Sequence, residues 1–64
     1  MITHDQLITA FAEEFEVRDK RNQVVKRFRI ISPDDGILDD AQHYGYRTEE
    51  KAWRAVKYKV RNGL

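Results

Sequence analysis

The sequence predicts an α+β domain: a small antiparallel sheet of two or three strands flanked by an N-terminal and a C-terminal helix, in the order α-β-β-α or α-β-β-β-α. Three observations carry this. Apolar residues recur at helical spacing near both ends, each run preceded by a threonine suited to capping. Between them, residues 24–31 are β-branched, aromatic and cationic, without Ala or Glu. A Ser-Pro-Asp-Asp-Gly run then stops that segment as a turn would.

The first helix is expected over 4–15. Thr3 is the cap, with Gln6 placed for a capping box and Ile2 and Leu7 placed for a hydrophobic staple. Asp5 suits the positive end of the helix dipole. Leu7, Ile8, Phe11 and Phe15 make one stripe. Asp19-Lys20-Arg21-Asn22 reads as a turn, and the alternation Phe15-Glu16-Val17-Arg18 admits a short strand before it.

Residues 24–31 are the clearest strand. Val24, Lys26, Phe28 and Ile30 share one face, expected to meet the core. Arg27 and Arg29 lie side by side on the other face, expected in water. Two readings compete for 33–44. In a hairpin, Pro33 presets φ, Gly36 takes the left-handed position, and the chain returns through Ile37 and Leu38 to pair around 41–46. In a helix, Ser32 caps, Pro33 opens, and Ile37, Leu38, Ala41 and Tyr44 form the stripe. The strand's need for a partner favours the hairpin, as does the cost of about 1 kcal/mol for Gly36 inside a helix.

The second helix runs from the Thr48 cap, through Glu49 and Glu50 in its first turn, to Gly63 as C-cap. Ala52, Trp53, Val56 and Val60 form its core face. The expected core is Phe11, Phe15, Phe28, Ile30, Trp53, Val56 and Val60.

The 64 residues allow one domain spanning 1–64 and one small core. The absence of cysteine excludes disulfides, thiolate catalysis and Cys-ligated metal, and favours a reducing compartment. The start of the chain lacks the pattern of a signal peptide, and no apolar run approaches the ~20 residues of a membrane span. A cytoplasmic protein with no membrane contact is expected.

Charge alternates in blocks despite a net +1: −4 over 1–16, +5 over 17–31, −3 over 32–48 and +3 over 49–64. Such blocks either pair internally or present opposed patches. The best functional feature is the outer face of the second helix. There Arg54, Tyr58 and Arg61 lie one turn apart, flanked by Lys51 and Lys57, with Arg27 and Arg29 as additions from the sheet. Dipole complementarity alone accounts for much of that cationic bias. Tyr44-Gly45-Tyr46 is the second feature. In a strand both tyrosines point to one face, as in aromatic binding surfaces. Alternatively, one Tyr covers the core edge and Gly45 supplies an unusual backbone angle.

No catalytic, metal or cofactor residue is assigned. His4 and His43 lie too far apart in sequence to suggest the three or four ligands of a metal site. No Ser, Thr or Lys has a recognisable activating base. The pairs Asp34/Asp35 and Asp39/Asp40 would need a pocket for acid–base work, and a chain this short hardly encloses the ~300 Å³ of a typical ligand site.

The order strand, Asp35-Gly36 turn, strand, Gly45-Tyr46-Arg47-Thr48, then a helix opening Glu49-Glu50-Lys51-Ala52 resembles small phage-encoded open reading frames. It is also similar to the amino-terminal arm-binding domains of phage-type integrases. The resemblance covers Phe28 to Ala55, under half the chain, and implies a hairpin, a cap and a helix; the leading helix departs from that layout, and no functional residue carries across. The expected function is a non-catalytic binding module. A protein-binding adaptor, inhibitor or self-associating regulator ranks first, and a DNA- or RNA-binding module using the second helix is the alternative.

Overall fold

The computed structural model describes residues 1–64. It has the predicted α+β order: helix α1 (His4–Thr9), strands β1 (Phe11–Arg18), β2 (Val24–Ser32) and β3 (Gly36–Asp39), and helix α2 (Glu49–Asn62). The strands form one open antiparallel sheet in the order β1-β2-β3. No helix is long and apolar enough to cross a membrane.

The capping box at Thr3 is present. Its backbone N–H donates to Gln6 Oε1 at 2.8 Å, and its hydroxyl accepts from the Gln6 backbone at 3.2 Å. The helix nevertheless ends at Thr9, where the sequence predicts it to continue to 15. Residues 11–18 instead pair with β2 over eight positions, from Phe11↔Ile31 to Arg18↔Val24. Phe11 and Phe15 fit a helical stripe, but they fit strand alternation equally well. The ladder also sets Glu13 opposite Arg29 and Glu16 opposite Lys26, a charge match that two more helical turns would forgo. The short strand expected at Phe15–Arg18 is the end of this longer one.

Both helices cover the sheet face that carries Ala12, Phe28 and Ile30. Ile30, Ala52 and Val56 are fully buried, and Ile2, Leu7, Leu38, Tyr46 and Trp53 are among the residues packed around them. Phe28, Ile30, Trp53 and Val56 thus hold their predicted core places. Phe11 and Phe15 do not, because register puts them on the opposite face, where Phe11 is 46% exposed. Val60 is half-buried and lies outside the cluster. At the far end of β2, Val24 and Lys26, expected on the core face, are exposed and lie outside the core cluster.

Of the two readings of 33–44 the hairpin is the one present, but its return strand ends at Asp39, and of the pairing expected around 41–46 only Tyr46 takes part, because 41–44 form a turn. Ser32 anchors the turn by accepting from the backbones of Asp34 and Asp35 at 3.3 and 3.4 Å. Gly36 takes φ +79°, the left-handed value the turn requires. The register slips between Ile30↔Asp39 and Ile31↔Ile37, leaving Leu38 as an extra residue that packs against the core. Pairing then stops until Tyr46, whose N–H and C=O both bond to Phe28, at 2.9 and 2.8 Å. α2 has its predicted caps: Thr48 Oγ1 accepts from Lys51 N–H at 3.1 Å, and Gly63 is left-handed at φ +68°.

Candidate functional site

The connection from β3 to α2 is where the backbone is least ordinary. Ala41, Gln42 and His43 have φ of +53°, +57° and +77°, three successive non-glycine residues in the left-handed region. Each costs roughly 1–2 kcal/mol relative to ordinary backbone. The turn is held from both ends. Asp39 Oδ1 accepts from Ala41 N–H at 3.1 Å, Tyr44 N–H donates to Ala41 O at 3.2 Å, and Gly45 N–H donates to Asp40 O at 2.8 Å.

Gly45 then lies flat on the sheet at φ +75°. A Cβ there would sit 2.4 Å from Arg27 Cβ and 2.7 Å from the Phe15 ring, so only glycine fits. This tight seat separates the two neighbouring tyrosines, so of the two readings of Tyr44-Gly45-Tyr46 the structure has the one in which a single tyrosine covers the core edge and Gly45 supplies the unusual backbone angle. Tyr46 turns inward, and its hydroxyl donates to Asp39 Oδ2 at 2.8 Å. Tyr44 turns outward and is 75% exposed.

Asp39 is almost fully buried and also accepts an ion pair from Lys59 Nζ at 2.9 Å. Burial raises the Tyr46 phenol above its ordinary value, with the Asp39 hydrogen bond and charge adding to the shift. The hydrogen bond to Asp39 raises the Lys59 ammonium against an opposing effect of burial. This trio clamps the 40–46 segment to α2, so Tyr46 serves the fold and has no free hydroxyl proton to offer a partner.

The outward side of the same segment faces the β1–β2 turn. Asp19 Oδ1 accepts from the backbones of Arg21 and Gln23, both at 2.9 Å, and Asn22 is left-handed at φ +62°. That closes the predicted turn at 19–22. Between this turn and Tyr44 runs an open groove of about 690 Å³, lined by Val17, Arg18, Asp19, Lys20, Arg21, Gln23, Arg27, Tyr44, Gly45 and Arg47. Five of the ten are cations and one is an acid.

The chain's ion pairs engage Lys26, Arg29, His43, Arg54 and Lys59, so none of the groove's cations has a carboxylate partner. Two are positioned by backbone oxygens: Arg18 Nη1 donates to Asn22 O at 3.0 Å and Arg27 Nη1 to Lys26 O at 3.1 Å. Lys20, Arg21 and Arg47 are exposed and make no side-chain hydrogen bond within the chain.

Arg27 and Arg29, expected together in water, are both half-buried and part company. Arg27 joins the groove. Arg29 is held by Glu13, its Nε donating to Oε1 at 2.8 Å and Nη2 to the same oxygen, with the guanidinium 4.5 Å above the Phe15 ring. On α2, Lys51, Arg54, Lys57, Tyr58 and Arg61 are all exposed as predicted. Arg54 is tied to Glu50 at 2.8 Å, and the face around it opens into shallow grooves of about 680 and 420 Å³.

The groove escaped sequence reasoning as a unit. Its halves were visible as the +5 block and the Tyr-Gly-Tyr run, but 17–27 and 44–47 are joined by contacts distant in sequence, the Phe28↔Tyr46 bridge and the seat of Gly45 against Arg27. No group of three or more His, Asp or Glu side chains gathers as a metal site would need. No protein-family model matches the chain, and no curated protein or solved structure matches it either.

Proposed function

We propose that the protein is a non-catalytic binding module that holds the phosphate backbone of a nucleic acid in the groove at the end of the β1–β2 hairpin. The single observation that carries this is the convergence of Arg18, Lys20, Arg21, Arg27 and Arg47 on one concavity without a paired carboxylate. Unpaired cations that face the same space repel one another, and an anion placed among them relieves the repulsion. Guanidinium forks favour phosphate oxygens in particular. The reading moves the nucleic-acid surface from the α2 ridge to the groove. It keeps a cytoplasmic setting, where a cysteine-free domain works without an oxidising environment.

The test is a titration of the wild-type chain with a short nucleic acid at several salt concentrations. Each phosphate neutralised on a single strand contributes about 0.7 to the log–log salt slope, so engagement of all five cations gives a slope of up to roughly 3.5. Absence of binding at the lowest salt would rule the reading out.

A second reading, self-association, has an observation of its own. Phe11, Ile31 and Ile37 stand in register across all three strands on the face the helices leave open. Phe11 and Ile37 are 46% and 50% exposed, in a chain with only three fully buried apolar side chains. A second copy would cover that row and add burial the small core lacks. Sedimentation at rising concentration, with Ile37→Lys as the control, should show a dimer that the variant loses. A wild-type monomer throughout would end this reading.

A further inference from the structure

We infer that Tyr44 is a stacking platform for an unpaired base, so the groove takes single-stranded nucleic acid in preference to duplex; this rests on the phosphate-binding reading above. The two readings draw on different features of the same surface. Phosphate binding needs only the cations. Base stacking needs an aromatic face presented among them, and Tyr44 is that face.

Its exposure is built, not incidental. The ring is 75% exposed, lines the groove beside Arg27 and Arg47, and makes no hydrogen bond through its hydroxyl. A tyrosine placed for stability would bury its ring and find a partner for its oxygen, as Tyr46 does two residues later. The chain holds Tyr44 outward by three left-handed residues before it and a glycine seat after it, a conformation under strain.

An exposed ring flanked by guanidinium groups suits a nucleotide whose base is free to leave its neighbours. The base lies on the ring while the adjoining phosphates reach the cations. In a duplex both faces of each base are already covered by stacking, so the ring would have to wedge a step apart. An acidic polypeptide would satisfy the charges but leave the ring without a partner.

The experiment compares wild type, Tyr44→Ala and Tyr44→Phe in titrations with oligothymidylate, a duplex of the same length and polyglutamate. Wild type should bind oligothymidylate more tightly than either other ligand. Tyr44→Ala should lose roughly 5- to 150-fold for oligothymidylate, the range of one aromatic–base stack, with its salt slope unchanged. Tyr44→Phe should stay within about twofold of wild type, because the ring remains. The side chain is exposed, so thermal melts of both variants should match wild type. Equal binding of single strand and duplex, or an alanine variant that binds oligothymidylate like wild type, would overturn the stacking inference while leaving salt-dependent phosphate binding in place. Polyglutamate binding as tight as oligothymidylate, or no binding of any ligand at low salt, would overturn the phosphate reading and this inference with it.

Discussion

The molecule has two basic surfaces, the outer face of α2 and the hairpin-end groove, and they differ in how their charge is held. On α2 the cations stand along one helix, from Lys51 to Arg61. Arg54 is spent on Glu50, Lys59 on buried Asp39, and Lys57 and Arg61 sit toward the negative end of the helix dipole. In the groove the cations come from three separate stretches of chain and converge, and the single acid among them, Asp19, is occupied by two backbone N–H groups. Charge count alone ranks the surfaces similarly. Pairing and the helix dipole separate them, and both favour the groove as the place for an anion.

The comparison can be broken first at Gly45. Gly45→Ala forces a Cβ into Arg27 and the Phe15 ring at a left-handed φ, and should destabilise the fold by about 2–4 kcal/mol. Gly36→Ala meets open space at a similar φ and should cost only about 1 kcal/mol. Denaturant midpoints of the two variants check this directly. If Gly45→Ala were no worse than Gly36→Ala, the 44–47 segment would not be seated on the hairpin, and the groove would lose one wall.

The clamp beneath that segment gives a smaller, pH-dependent effect. Tyr46 and Lys59 both hold their protons more tightly in the folded chain than at their ordinary values of 10.0 and 10.5. Their contribution to stability is therefore intact below about pH 10 and is lost as the pH rises through the raised values. Tyr46→Phe should cost about 1.5 kcal/mol at neutral pH, through one hydrogen bond to a charged group, and should flatten that alkaline loss. Stability measured from pH 7 to 11 for both proteins reads the effect. An identical alkaline decline in the variant would show that Tyr46 does not share in it.

These elements also show what the sequence could and could not convey. α2 was legible from end to end because its signals are local: Thr48, the two glutamates after it, and Gly63 each act within a turn of the helix. The 33–36 turn was legible for the same reason. α1 was misjudged at its far end because Phe11 and Phe15 satisfy two periods, and the choice belongs to β2, which offers eight ladder pairs and a complementary charge pattern. Arg29 shows the same limit from the other side, since its partner Glu13 was assigned to a helix. The groove depends on a bulge at Leu38, a left-handed turn at 41–43 and one isolated bridge. None of these has a residue pattern that announces it: Ala and Gln are unusual occupants of left-handed backbone, a lone His is too weak a signal of it, and only Gly45 hinted that the chain does something there.

The most direct test of the account sets the two surfaces against each other. Lys20, Arg21 and Arg47 are exposed and unpaired, so replacing all three by Gln leaves the core and the turn hydrogen bonds intact. Arg54, Lys57 and Arg61 replaced by Gln remove the same charge from α2. Titrated against oligothymidylate over a range of salt, the groove variant should lose about 2 from the wild-type slope, at 0.7 per phosphate contact, and most of its low-salt affinity. The α2 variant should keep the wild-type slope to within about 0.5. The reverse result, with the α2 variant losing the slope and the groove variant keeping it, would put the anion on the helix ridge and contradict the account.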